Sequence, residues 1–155
     1  MTIAEKVRAT QHSAERIIQF LDAVQARGYT PHDRTTTNIS DVRDAAHEAC
    51  HALQWKVTKP WTRENIHAKC PKRIGDKLVQ EILARAVEQL VCADLGAPCD
   101  SIEKCAHHCF MEMLQNEKIR LPSGEWLAEL IRERMREAPA KELAVRVLAL
   151  VQVRP

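Results

Sequence analysis

The chain has 155 residues, enough for one domain with a hydrophobic core, and 45% of them are hydrophobic while 28% are charged. Its formal net charge of +2 comes from interleaved acidic and basic residues, and only 4% of residues are aromatic, which argues against nucleic acid as the primary partner. No segment has the length and apolarity of a membrane-spanning helix, and the N-terminus lacks the pattern of a signal peptide, so we expect no membrane partner and a cytoplasmic location.

The pattern of apolar residues predicts a mainly α-helical fold in a single domain over residues 1–155. The first part, residues 1–40, begins with a helix over residues 3–27 that ends at Gly28. Residues 28–40 form a polar connection that is too short for more than a small β element. The second part, residues 41–96, and the third, residues 97–155, are predicted to be helical.

The second part begins with a helix over residues 41–56, which Ser40 can cap and which has Asp41 and Asp44 in its first turn. A short helix is predicted over residues 62–67. A long helix over residues 74–95 follows and is stopped by Gly96.

Three helices are predicted in the third part. Ser101 caps the first, to about residue 117, and Ser123 opens the second. The last helix starts at Pro139 and covers residues 141–151, which leave almost no polar face. Such a helix must be buried in the core or against another subunit, so a homo-oligomer through this helix is left open.

The helix over residues 41–56 carries the motif HExxH as residues 47–51. His47 and His51 are one turn apart on the same face, so both rings can point at a single metal ion. Glu48 lies on the flank of this face, where it can act as a general base on a water molecule. The motif predicts a zinc site with its own base.

A third ligand should come from a helix packed against the first, and the helix over residues 74–95 offers two candidates. Glu81 is the preferred ligand, and Glu88 is the runner-up because it lies two turns along the same face. The alternative is two surface glutamates, with Glu81 paired to Arg85 at i+4.

The sequences HEACHAL (residues 47–53) and EILARAVEQLVCADLG (residues 81–96) resemble two families. These are the gluzincin-like metalloproteases of the ImmA/IrrE type and the metalloprotease domain of ArdC-type antirestriction proteins. The resemblance implies a compact zincin-like domain, Zn²⁺ as cofactor, Glu81 as third ligand, and a metallopeptidase that acts on a protein substrate or regulator. The motif also looks similar to the HEAGH motif of membrane-linked AAA proteases, whose third ligand is placed differently.

Two further alternatives are left open. The chain could be a noncatalytic helical binding or assembly protein in which the same residues hold a structural metal or none. A second metal site could also form, because four cysteines follow closely in the chain and thiolates are soft zinc ligands. These cysteines are Cys92, Cys99, Cys105 and Cys109.

Overall fold

A computed structural model describes residues 3–4, 15–20, 22, 26, 42–57, 72–97 and 99–150 of the chain. Within these ranges five helices follow residue 41, and their bounds are α1 Val42–Val57, α2 Lys72–Leu95, α3 Ile102–Asn116, α4 Gly124–Arg136 and α5 Ala138–Ala149. The described residues before them are helical as well, and none of the residues within these ranges is in a strand. The predicted mainly α-helical fold is confirmed. The connection over residues 28–40 and the short helix over residues 62–67 lie outside the described residues.

Two of the predicted helix caps are present. The Ser101 hydroxyl accepts a hydrogen bond from the Lys104 amide at 3.1 Å at the start of α3. The Ser123 hydroxyl accepts one from the Trp126 amide at 3.0 Å at the start of α4. Each bond satisfies an amide that has no partner within its own helix, and this fixes where the helix begins.

The last helix begins earlier than predicted. It starts at Ala138, one residue before the predicted start at Pro139, and includes the proline in its first turn. Proline is compatible with this position because the amides of the first turn have no carbonyl partner in the helix, and its fixed φ suits helical backbone.

The core forms around α2, which contacts each of the other four helices. Its closest neighbour is α1, which carries several small buried residues that let other helices approach closely: Ala45, Ala46, Ala49, Cys50 and Ala52. Leu78 and Ile82 of α2 are buried in the same core. The helix that carries Glu81 is therefore held on several sides.

The C-terminal helix α5 packs against α1, α2 and α4 through one face. Leu143 and Val147 are buried there, whereas Val145 is 66% exposed. Burial in the core accounts for one face of this apolar helix, and its part in a homo-oligomer stays a prediction.

Among the helices in the described ranges, none combines the length and the hydropathy that crossing a bilayer requires.

Candidate metal centre

The two histidines of the motif lie side by side on α1. The ring centroids of His47 and His51 are 4.7 Å apart with an interplanar angle of 76°, and the two Nε2 atoms are 3.0 Å apart. This is the geometry that the i, i+4 spacing predicted for a helix. Both side chains are partly buried.

Glu81 of α2 faces both rings. Its Oε1 lies 3.0 Å from His47 Nε2, and its Oε2 lies 3.0 Å from His51 Nε2. One donor atom from each residue can be chosen so that all three lie within 4.8 Å of one another. Donors around a tetrahedral zinc are separated by roughly 3.3 Å, because zinc bonds to N and O are about 2.0–2.2 Å long. The three groups are thus close enough to share one ion with small side-chain adjustments.

Glu88 occupies a different position from Glu81. Its carboxylate is 3.7 Å from His47 Nδ1, on the opposite edge of the ring from Glu81, and it accepts a hydrogen bond from the Cys105 thiol at 3.2 Å. Glu88 is only 2% exposed. It is therefore not a surface glutamate, and it lies behind His47 rather than beside the three donors.

Arg85 lies close to both glutamates. Its Nη2 is 3.3 Å from Glu81 Oε1 and 3.2 Å from Glu112 Oε2, and its Nη1 is 3.9 Å from Glu88 Oε1. The i+4 pair of Glu81 and Arg85 that the sequence indicated is present, but the arginine is buried rather than at the surface. One guanidinium thus balances part of the negative charge of two inward-facing carboxylates.

The electrostatics of this cluster favour a charged pair between His47 and Glu81. Burial opposes protonation of His47, but the charge and hydrogen bond of Glu81 and the nearby Glu88 outweigh it and hold the pKa of His47 well above its usual value. Burial likewise opposes ionisation of Glu81, but His47, His51 and Arg85 outweigh it and hold the pKa of Glu81 well below its usual value. The cluster therefore stabilises a positive charge beside Glu81.

Glu48, the predicted base, is partly buried on α1 next to His47. Its Oε2 is buried and accepts no hydrogen bond from any residue that the structure describes. A buried carboxylate oxygen without a donor is unfavourable, since it loses its hydration without replacement. Such an oxygen suits contact with a water molecule or substrate.

The cysteines do not gather into a second centre. Within the described part of the chain, the group of His47, His51 and Glu81 is the only set of three metal-binding side chains with donors this close together. None of the four cysteines considered for a second site is in a disulfide. Cys99 is exposed, and the other three are buried.

Sequence reasoning missed the roles of two residues around the site. Glu112 of α3 reaches Arg85, and Cys105 of the same helix donates to Glu88. Both contacts come from the packing of α3, so no spacing along the chain pointed to them.

Comparison of the chain with family models, curated proteins and solved structures finds no match. The resemblance to metalloproteases consequently stays a prediction that depends on the motif residues alone.

Proposed function

We propose that the chain is a zinc-dependent hydrolase, a metallopeptidase that acts on a protein partner, with His47, His51 and Glu81 as metal ligands. The observation that carries this proposal is the convergence of two imidazoles from α1 and one carboxylate from α2 within 4.8 Å. Two helices must pack in the right register for these groups to meet.

The chemistry of the three donors favours zinc over other common cations. Calcium and magnesium prefer a set made only of oxygen atoms, whereas two imidazoles and a carboxylate are a frequent zinc set. Three protein ligands also leave one position for water or substrate, as in catalytic zinc sites. Bound zinc would supply Lewis acidity and lower the pKa of a water molecule to about 7.

Glu48 is the general base in this proposal. Its buried Oε2 has no donor among the described residues, and it directly follows the ligand His47 in the helix. Its carboxylate would accept the proton of the attacking water and deliver it to the leaving amine of the cleaved peptide bond. Because Glu48 Oε2 accepts no hydrogen bond from a described residue, it is available to accept one from the attacking water.

Glu88 and Arg85 act through the ligands. Glu88 faces His47 Nδ1, and a carboxylate at that nitrogen favours the tautomer whose Nε2 lone pair points to the metal. Arg85 holds one oxygen of Glu81 and limits the rotation of that carboxylate. Both are positioning residues, because neither belongs to the group of three donors.

Metal binding is tested by elemental analysis of the purified, untagged chain after incubation with zinc and removal of excess ion. We expect about one zinc ion per chain. Glu81→Gln should lose most of it, whereas Glu142→Gln, at an exposed position of α5, should retain it. Equal zinc content in all three proteins, or none in the unchanged chain, would overturn the proposed site.

Catalysis is tested with the Glu48→Gln variant and a peptide library made by digestion of a whole proteome. We expect the unchanged chain with zinc to cleave some of these peptides, and Glu48→Gln to bind zinc equally and cleave none. Zinc binding without cleavage by either protein would favour the alternative of a noncatalytic helical protein with a structural metal. The predicted cytoplasmic location is compatible with either outcome and stays a prediction.

A further inference from the structure

One carboxylate beside the metal centre is accessible to solvent. The side chain of Glu112 on α3 is 55% exposed, whereas those of Glu81 and Glu88 are 21% and 3% exposed. Among the described residues, Arg85 is the only hydrogen-bond or ion-pair partner of Glu112. Glu112 can therefore contact a molecule that approaches from solvent.

Glu112 and the proposed ligand Glu81 contact the same nitrogen atom. Arg85 Nη2 is 3.2 Å from Glu112 Oε2 and 3.3 Å from Glu81 Oε1. These two oxygens can be no farther apart than the sum of the two distances, about 6.5 Å. Glu112 does not belong to the group of three donors that lie within 4.8 Å of one another. It is thus a neighbour of the metal centre and not a ligand.

The helix that carries Glu112 has little positive charge to offset it. Lys104 is the only lysine or arginine in α3, and it lies two turns before Glu112 and 3.5 Å from the carboxylate of Asp100. His108, one turn before Glu112, faces Asp100 as well, at 4.0 Å. Within the described residues, the charge of Glu112 is therefore offset by Arg85, which Glu112 shares with other carboxylates.

The charges around Arg85 favour the approach of one more cationic group. Three carboxylates, those of Glu81, Glu88 and Glu112, surround this single guanidinium. With zinc bound, the metal and Arg85 together would carry as much positive charge as these three carboxylates carry negative charge. Glu48, which directly follows a ligand in α1, adds a fourth carboxylate. The loaded centre would thus have an excess of negative charge, which a cationic substrate group would offset.

We propose that Glu112 binds the α-ammonium group of a peptide, and that the chain is an aminopeptidase that removes the first residue from peptides with a free N-terminus. This inference rests on the proposed function as a zinc-dependent peptidase and names its substrate class. Glu112 is a specificity-determining residue, because it contacts the substrate beside the reacting bond and does not activate water.

The short distance between the two carboxylates favours an α-ammonium group over a basic side chain. In the first residue of a peptide, the α-nitrogen is two bonds from the carbonyl carbon that is attacked, and these atoms are about 2.5 Å apart. The ammonium group of a lysine side chain is six bonds from the same carbon. To reach a carboxylate this close to a metal ligand, a lysine side chain would have to fold back at a cost in rotamer entropy.

The reaction balances with water as the only co-reactant. The water oxygen forms a bond to the carbonyl carbon of the first residue, and Glu48 accepts the proton that the water loses. The bond between this carbon and the amide nitrogen then breaks, and Glu48 returns the proton to the leaving amine. The products are one free amino acid and a peptide that is one residue shorter. Glu112 exchanges no proton in these steps, and its charge holds the α-ammonium group in place.

Binding can be tested separately from catalysis with hydroxamates, which chelate zinc through two oxygen atoms. Leucine hydroxamate has a free α-ammonium group, N-acetyl-leucine hydroxamate has no charge there, and Nα-acetyl-lysine hydroxamate has only the side-chain ammonium group. Calorimetry on the zinc-loaded chain should show that leucine hydroxamate binds about 10–100-fold more tightly than either acetylated compound, as expected for one hydrogen bond between charged groups.

Two variants assign this preference to Glu112. Glu112→Gln should retain zinc, bind N-acetyl-leucine hydroxamate as the unchanged chain does, and lose most of the preference for leucine hydroxamate. Glu103→Gln is the matched control, because it removes an exposed carboxylate from the same helix that contacts Arg132 instead of Arg85. This control should keep the full preference.

Cleavage is tested with the proteome-derived peptide library, one half of which is acetylated at its N-termini. We expect the zinc-loaded chain to shorten the free peptides by one residue at a time and to leave the acetylated peptides intact. Glu112→Gln should shorten the free peptides about 10–100-fold more slowly, since it loses the same charged contact. Glu103→Gln should shorten them at the rate of the unchanged chain.

The possible results distinguish failure of this inference from failure of the function on which it rests. A chain that binds no zinc would overturn the metal site and the aminopeptidase together. A zinc-loaded chain that binds leucine hydroxamate and its acetylated form equally, or whose preference survives in Glu112→Gln, would overturn the α-ammonium site alone. Preference for Nα-acetyl-lysine hydroxamate over N-acetyl-leucine hydroxamate, or internal cleavage of acetylated peptides, would contradict the aminopeptidase and leave a zinc peptidase of another specificity.

Discussion

Within the described part of the chain two arginines are buried, and their surroundings differ. Arg134, near the end of α4, is 2% exposed and contacts Glu137 at 2.8 Å in the adjoining turn. Arg85, at the centre of α2, is 7% exposed and is shared by Glu81, Glu88 and Glu112. Arg134 contacts carboxylates that are close in the chain at one helix end, with Glu133 at 3.6 Å as its second contact, whereas Arg85 connects α2 to α3 and has three carboxylates around one guanidinium.

The two surroundings differ in whether another cation would be favourable. Arg134 has carboxylate partners within three residues of the chain, at the end of one helix. Two inward-facing carboxylates beside one guanidinium have an excess of negative charge, which protonation of His47 offsets when no metal is bound. If the proposed metal ion binds at the α1–α2 interface, it would replace the positive charge that His47 otherwise supplies there.

The largest effect is expected when each arginine is replaced. Arg85→Met should lower the free energy of unfolding of the zinc-free chain by about 3–5 kcal/mol, because Glu81 and Glu88 lose their common partner inside the protein. Urea unfolding with and without zinc measures this, and zinc should recover more stability in Arg85→Met than in the unchanged chain. Arg134→Met is the matched control, and any destabilisation it causes should not respond to zinc.

Zinc itself should have the next largest effect. At a free zinc concentration roughly 100-fold above the dissociation constant, the unchanged chain should gain about 2.7 kcal/mol of stability, because zinc binds the folded state. Thermal unfolding followed by circular dichroism measures the gain. In Glu81→Gln the transition should not move with zinc, and an equal shift in that variant would contradict the assignment of the third ligand.

The role of Glu88 in zinc binding can be tested by a smaller change. Glu88→Gln should weaken zinc binding by about 10–100-fold, the usual cost of removing a carboxylate partner from a ligating histidine. Competition with a chromophoric chelator measures the dissociation constant. Glu112→Gln removes a more exposed carboxylate from the same arginine and should leave zinc affinity nearly unchanged, so equal losses in both variants would mean that Glu88 acts only through Arg85.

The smallest effect is expected far from the buried charges. Ser123→Ala removes the side-chain cap of α4 and should cost about 1 kcal/mol of unfolding free energy. Urea titrations should give the same loss with zinc and without it. A loss that appears only in the zinc-free protein would show that the stability of the α4 region is coupled to zinc binding.

Most of the helical framework could be predicted from sequence because its signals are local. Ser101, Ser123 and Gly96 begin or end helices through bonds to backbone groups within a few residues. The predicted start of α5 at Pro139 was one residue late, because a proline fits the first turn of a helix without fixing which residue begins it. Apolar composition alone also could not indicate that Val145 would face outward.

The candidate site could be predicted only in part. The i, i+4 rule placed His47 and His51 together, but Glu81 and Glu88 remained alternatives because residues seven apart differ by only about 20° around a helix. The height at which α2 packs on α1 decides between them, and it places Glu81 at Nε2 and Glu88 at Nδ1 of His47. The contact of Cys105 with Glu88 depends on how α3 packs, which no local rule specifies.

The central position of α2 has a consequence for how the molecule opens. Since this helix contacts every other described helix from α1 to α5, its middle amides should exchange with solvent deuterium only when the whole core unfolds. Movements that admit a ligand to Glu81 would then have to come from α1 or from side chains. Exchange rates along α2 would therefore report global stability, and those along α1 would report the local opening through which an ion enters and leaves.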